Sequence, residues 1–168
     1  MTNEELNTLS KVSKIRGYYI ELSIQLEYLI SEIIAYHYCK NNDELRVEYM
    51  ANILYRESFS MRVKIDVFQY IMETHYSNEY DKMCYSKADK LRNYNTIRNQ
   101  YAHNIHLSQY TNNMSYFAKI TIGKDQEIKK PILDKKLESD NQTNKLNIES
   151  ITSAINELNV FLKDNMRE

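Results

Sequence analysis

Apolar residues recur at three- and four-residue spacing over most of this chain. From Tyr18, the series Leu22, Leu26, Leu29, Ile33 and Tyr36 forms one stripe, widened by Ile30 and Ile34. A stripe of that period is an amphipathic helix that buries one face. It predicts a first helix over about Glu4 to Cys39, broken or bent at Gly17. Asn41, Asn42 and Asp43 then read as a turn and an N-cap, ahead of a short helix over about Glu44 to Tyr55. Ser58 or Ser60 caps a third helix, in which Val63, Val67, Phe68, Ile71 and Met72 run to about His75. A polar break at Ser77 and Asn78 precedes a long helix from about Glu79 to Ile105.

The period changes near Asn112. Met114, Tyr116, Ala118, Ile120 and Ile122 alternate with other residues, and Gly123, Lys124 and Asp125 supply a turn toward Glu127 to Leu133. Alternation followed by a turn predicts a β-hairpin inserted over about 114–133. Residues 134–146 are polar and read as a mobile loop. The last helix is expected from near Asn147, with Asn147 as N-cap and Leu146 and Ile151 as a hydrophobic staple. Its buried face would be Ile148, Ile151, Ile155, Leu158 and Leu162.

Composition agrees with a mainly helical chain. Two glycines and one proline in 168 residues are too few for the many turns of an all-β domain. The length suits one domain spanning 1–168 with a core of its own. No apolar run is long enough for a membrane span, and the polar N-terminus lacks a signal-peptide core, so a cytoplasmic protein without membrane association is expected. Cys39 and Cys84 are too few and too far apart for a disulfide framework or a zinc site. The net charge of −1 gives no general attraction to nucleic acid. Local charge differs: between Lys82 and His103, Lys82, Lys87, Lys90, Arg92 and Arg98 face Asp89 alone. Such a run is either a solvated helix face or a phosphate-attracting patch.

One residue breaks the helical pattern. Advancing about 100° per residue from Leu91 puts Tyr94, Tyr101, Ala102 and Ile105 on one face, with Arg98 in its middle. A guanidinium keeps its charge, and an unpaired buried charge costs several kcal/mol. Arg98 must meet a carboxylate, line a cleft or face a phosphate. Glu21, Glu27 and Glu32 of the first helix are the candidate partners for a purely structural ion pair. Asn99 and His103, four apart, share an edge of the same helix. Arg98 and His103 lie about 140° apart on an ideal helix, so they meet at one ligand only if the helix frays, the arginine reaches around, or a second subunit contributes.

The stretch Ile97-Arg98-Asn99-Gln100-Tyr101-Ala102-His103-Asn104 resembles the signature of the HEPN superfamily, an Arg, often followed by a polar residue, then a His after four to six intervening residues, here four. The order of helices is also similar, including the Phe59-Ser60-Met61-Arg62-Val63-Lys64-Ile65 entry to the middle helix. The resemblance covers most of the chain. It implies a HEPN-like bundle of about five helices, often a homodimer with the two motifs facing each other, here with a hairpin insertion before the last helix. It also implies metal-independent endoribonuclease activity without a cofactor, in toxin–antitoxin or phage-defence systems, with an antitoxin or defence protein as a partner. On this reading Arg98, Asn99 and His103 are catalytic, and Lys87, Lys90 and Arg92 contact RNA.

Cleavage through the 2′-hydroxyl needs a group that exchanges protons near neutrality, which suits His103. It also needs fixed positive charge on the phosphoryl oxygens, which suits Arg98. The chain departs from nucleotidyltransferase-silenced toxins at Ile105, where those carry a tyrosine two residues after the His. The non-catalytic alternative within the superfamily is a regulatory or interaction module, and the mannitol operon repressor family has a similar pattern. His103 and His106 have metal-ligand spacing but no third ligand nearby, so no metal is expected. His37 and His75, near helix ends, read as structural or exposed.

Overall fold

The computed structural model describes residues 3–103, 105–108, 115–119, 132–133 and 141–166, with side chains for 13–102 and 145–166. It is mainly helical: α1 (Asn3–Cys39), α2 (Asp43–Tyr49), a π-helical turn (Met50–Leu54), α3 (Met61–His75), α4 (Ser77–Lys82), α5 (Ala88–His103) and α6 (Asn141–Asn165). Short strands β1 (Ile105–Ser108), β2 (Ser115–Lys119) and β3 (Ile132–Leu133) pair antiparallel in that order. The turn and most of the returning strand expected for a hairpin lie outside the described residues. Among the described residues no helix is long and apolar enough to cross a membrane.

The chain divides into two compact units. One comprises Leu22–Asn95 with Glu149–Glu168, the other Met1–Glu21 with Thr96–Ile148. In the first, Val63 of the expected α3 stripe is exposed, and Ile65 and Phe161 join the core unexpectedly. Most of the expected stripes are buried: Leu26, Ile30 and Ile33 of α1, Phe68, Ile71 and Met72 of α3, Leu91 and Tyr94 of α5, and Ile151, Leu158 and Leu162 of α6. Each such side chain contributes about 1.5–3 kcal/mol by leaving water. Edge-to-face rings add geometry to this core: Tyr76 on Phe161 at 5.1 Å and Phe68 on Tyr80 at 6.3 Å. Burial, then the charge of Glu157, pushes the Tyr94 hydroxyl up to about 12. It therefore stays protonated and donates to the Ser150 carbonyl at 3.3 Å.

The boundaries follow local chemistry where the signal is local. Asn42 caps α2, its Oδ1 accepting from the Leu45 amide at 3.0 Å. Ser60 stands at the N-cap of α3, without a side-chain cap bond. Helix α1 runs unbroken through Gly17, which nothing crowds, so the expected break there is corrected. The buried tyrosine at the start of the stripe is Tyr19, while Tyr18 is exposed.

Two other expectations are corrected. The helix read from Glu79 to Ile105 is two helices, α4 and α5, separated at 83–87. The reason is non-local. Glu157 of α6 accepts from the Cys84 amide at 2.9 Å on one oxygen, and from the Tyr85 amide (2.9 Å), Ser86 amide (3.0 Å) and Ser86 hydroxyl (2.8 Å) on the other. These bonds hold consecutive amides out of helical pairing, and the Ala88 amide beyond them donates to the Tyr80 hydroxyl at 3.0 Å. The last helix begins at Asn141, not near Asn147, so Asn147 and Leu146 lie inside it and neither caps nor staples its start. Residues 141–146, read as loop, are helical, and Leu146 is exposed.

Candidate functional site

The three candidate catalytic residues occupy the last two turns of α5, which ends at His103. Arg98 is half-buried rather than sealed in the apolar face, while Tyr101 of the same turn is 3% exposed. Helical geometry explains the difference: a long side chain rooted near a buried stripe lays its stem along it and carries its head outward. The Arg98 head meets no carboxylate among the described residues. Its Nη1 donates to Asn99 Oδ1 at 3.1 Å. That bond is the side-chain contact the structure gives between two of the three residues. The His103 side chain is not among those described.

The end of α5 is held by two contacts from α1. Tyr19 packs on Tyr101 with ring centroids 5.2 Å apart and planes tilted by 48°. Burial raises the pKa of the Tyr101 hydroxyl above its ordinary value. Arg16 Nη2 donates to the Ala102 carbonyl at 3.0 Å. The last carbonyls of a helix have no partner within it and carry partial negative charge, so a guanidinium there satisfies one and complements the dipole. Sequence reasoning missed Arg16. It lies more than eighty residues from the motif, and nothing local in the chain links the two.

The residues read as RNA contacts sit in α5 and just before it, and they differ in what they already touch. Arg92 Nη2 is bonded to Asp66 Oδ1 at 2.7 Å and to Gln69 Oε1 at 2.8 Å. The Lys87 ammonium lies over the Tyr80 ring, 5.6 Å from its centre. Lys90 is exposed. Glu27, one of the carboxylates considered for Arg98, is paired with Lys64 of α3.

Chemically, the end of α5 offers a guanidinium with most of its five N–H donors uncommitted among the described residues, an amide that orients it, and a second guanidinium from Arg16 beside the residue that precedes His103. Such donors suit an anionic oxygen. No three or more His, Cys, Asp or Glu side chains gather in one place among the described residues. No protein-family model matches the chain, and no curated protein or solved structure shows significant similarity to it.

Proposed function

We propose that this chain is a metal-independent endoribonuclease of the HEPN type, acting as a homodimer in toxin–antitoxin or phage defence, on a helical bundle with an inserted hairpin. The observation that carries the reading is Arg98: half-buried, without a carboxylate partner among the described residues, and bonded to Asn99. A purely structural arginine at that depth would be expected to pair with an acid. Both Arg98 and His103 lie within α5, about 140° apart on an ideal helix, so the reading relies on the reach of the arginine or on a second subunit. In the proposed step His103 takes the proton of the 2′-hydroxyl. The 2′-oxygen bonds to phosphorus and the P–O5′ bond breaks, leaving a 2′,3′-cyclic phosphate and, once the leaving oxygen is protonated, a 5′-hydroxyl. Arg98 stabilises the charge gathering on the phosphoryl oxygens, and Asn99 holds the guanidinium. A twofold mate would bring a second motif to the same phosphate.

The test is cleavage of RNA by the purified chain in EDTA, with the ends mapped. His103→Ala is expected to lower the rate by about 10²–10⁴-fold, the usual worth of a positioned acid–base group. Cleavage by the wild type no greater than by His103→Ala rejects the reading.

The second reading is a non-catalytic interaction module. It is favoured by the intramolecular partners of Arg92 and Lys87, which spend two of the three cations assigned to RNA. It expects RNA affinity to be unchanged by Lys90→Ala and Arg98→Ala, measured by gel shift at fixed salt.

A further inference from the structure

We propose that His37 and His75 form a two-imidazole site for a divalent late first-row metal ion of the nickel, copper and zinc class. His37 stands in the last turn of α1 and His75 in the last turn of α3. Their rings are 4.6 Å apart between centres and tilted by 45°. With metal–nitrogen bonds of about 2.0–2.1 Å, and a ring nitrogen about 1.1–1.2 Å from its ring centre, two imidazoles on one ion have centres about 4.5–5.2 Å apart for angles of about 90–110° at the metal. The observed spacing falls within that range, so the two rings need only turn a nitrogen each toward a common point.

Three features make the pair available to an ion. Neither ring donates or accepts a hydrogen bond among the described residues, so its nitrogens are not committed to protein partners. His75 is exposed and His37 half-buried, which gives an ion a way in and places for water on its open coordination positions. Both imidazoles lie at helix C-termini, where the partial negative charge of the terminal carbonyls favours a cation. The Lys40 ammonium opposes it. The Tyr38 and Tyr76 rings, 5.0 and 6.2 Å from His37, confine it from two sides and limit its choice of rotamer.

With two protein ligands and no third His, Cys, Asp or Glu gathered beside them among the described residues, the site is open. It would prefer metals high in the Irving–Williams order. It uses none of Arg98, Asn99 or His103, so it stands whether or not the chain cleaves RNA.

The test uses the full chain, stripped with EDTA and desalted. Saturating Ni²⁺ is expected to raise the thermal midpoint by roughly 4 °C, as ligand linkage predicts for a chain of this size. His75→Gln, an exposed change whose unaltered midpoint in EDTA certifies folding, should weaken Ni²⁺ binding by roughly tenfold or more, at least the scale seen when a metal ligand loses its supporting partner. With Cu²⁺, electron paramagnetic resonance should report two coordinated imidazole nitrogens in the wild type and one in His75→Gln. An unchanged midpoint in the wild type overturns the proposal. So does Ni²⁺ affinity that survives His75→Gln, or a copper signal that follows His103→Ala instead; the two rings would then be packing partners alone.

Discussion

Lys64 and Arg98 pose the same problem in two regions of the molecule, and the regions answer it differently. In the unit formed by Leu22–Asn95 and Glu149–Glu168, Lys64 is 1% exposed, pairs with Glu27 and lies 4.8 Å from the centre of the Tyr55 ring. In the unit formed by Met1–Glu21 and Thr96–Ile148, Arg98 is half-buried and shares its head with the neutral Asn99. The first cation is neutralised within the fold. The second is oriented but keeps its charge among the described residues, and such a charge at a helix end is what an anionic ligand would use. The depth of a cation therefore says less about its role than whether the fold supplies its counter-charge.

The sharpest way to break this comparison is to remove the counter-charge of Lys64. Glu27→Ala strands a buried ammonium and is expected to lower stability by about 2 kcal/mol, below the range for a fully buried pair because the Glu27 side chain is 30% exposed. Chemical denaturation measures it, and a loss under a few tenths of a kcal/mol would show that Lys64 finds water or another partner.

Glu157 is the other carboxylate that organises the first region, and Glu157→Gln should cost about 1 kcal/mol. Burial alone would raise its pKa, but bonds from the Cys84 amide, the Ser86 hydroxyl and the Tyr85 and Ser86 amides outweigh it, so the folded value lies below the ordinary 4.5. A depressed carboxylate contributes stability that is present above its unfolded pKa and lost as pH falls through the folded one. The gap between wild type and Glu157→Gln should hence be constant near neutrality and narrow below about pH 4.5. A gap independent of pH across that range would place the effect in packing, not charge.

Gly17→Ala tests the second region in the opposite direction. Nothing lies within 4 Å of the added Cβ, and the residue is inside α1. Stability should rise by about 0.5–1 kcal/mol through helix propensity and a less flexible unfolded chain. A loss would mean that the helix needs the freedom of glycine there.

The smallest stability effect is expected at Arg98. Arg98→Ala breaks one exposed bond to Asn99 and should change unfolding free energy by no more than about 0.5 kcal/mol. A loss of several kcal/mol would place Arg98 with Lys64 as a structural cation and undo the contrast between them.

Much of the helical framework was legible in the chain because its cause is local. The three- and four-residue spacing of Leu22, Leu26, Leu29 and Ile33 marks a buried face wherever the partner lies, and Asn42 caps its helix with an amide three residues away. The site was legible only in part. The motif put Arg98 and Asn99 side by side, and the axial rotation of α5 put Arg98 near the apolar face, but rotation alone assigned it a deeper burial than a flexible four-atom stem accepts.

The sequence by itself determined that this chain is mainly helical, which faces of its helices are apolar, and that an arginine interrupts one of them. Helix periodicity and capping act over three or four residues, so they can be read without a fold. Only the tertiary structure decided that the helix expected from Glu79 divides at 83–87, that Glu27 belongs to Lys64, that Arg16 reaches the Ala102 carbonyl, and that His37 and His75 meet. Each of these joins groups from 37 to 86 residues apart in sequence, or depends on such a join. A hydrogen bond, an ion pair or a ring contact acts across a few ångströms of space, and at such separations the chain carries no local trace of it.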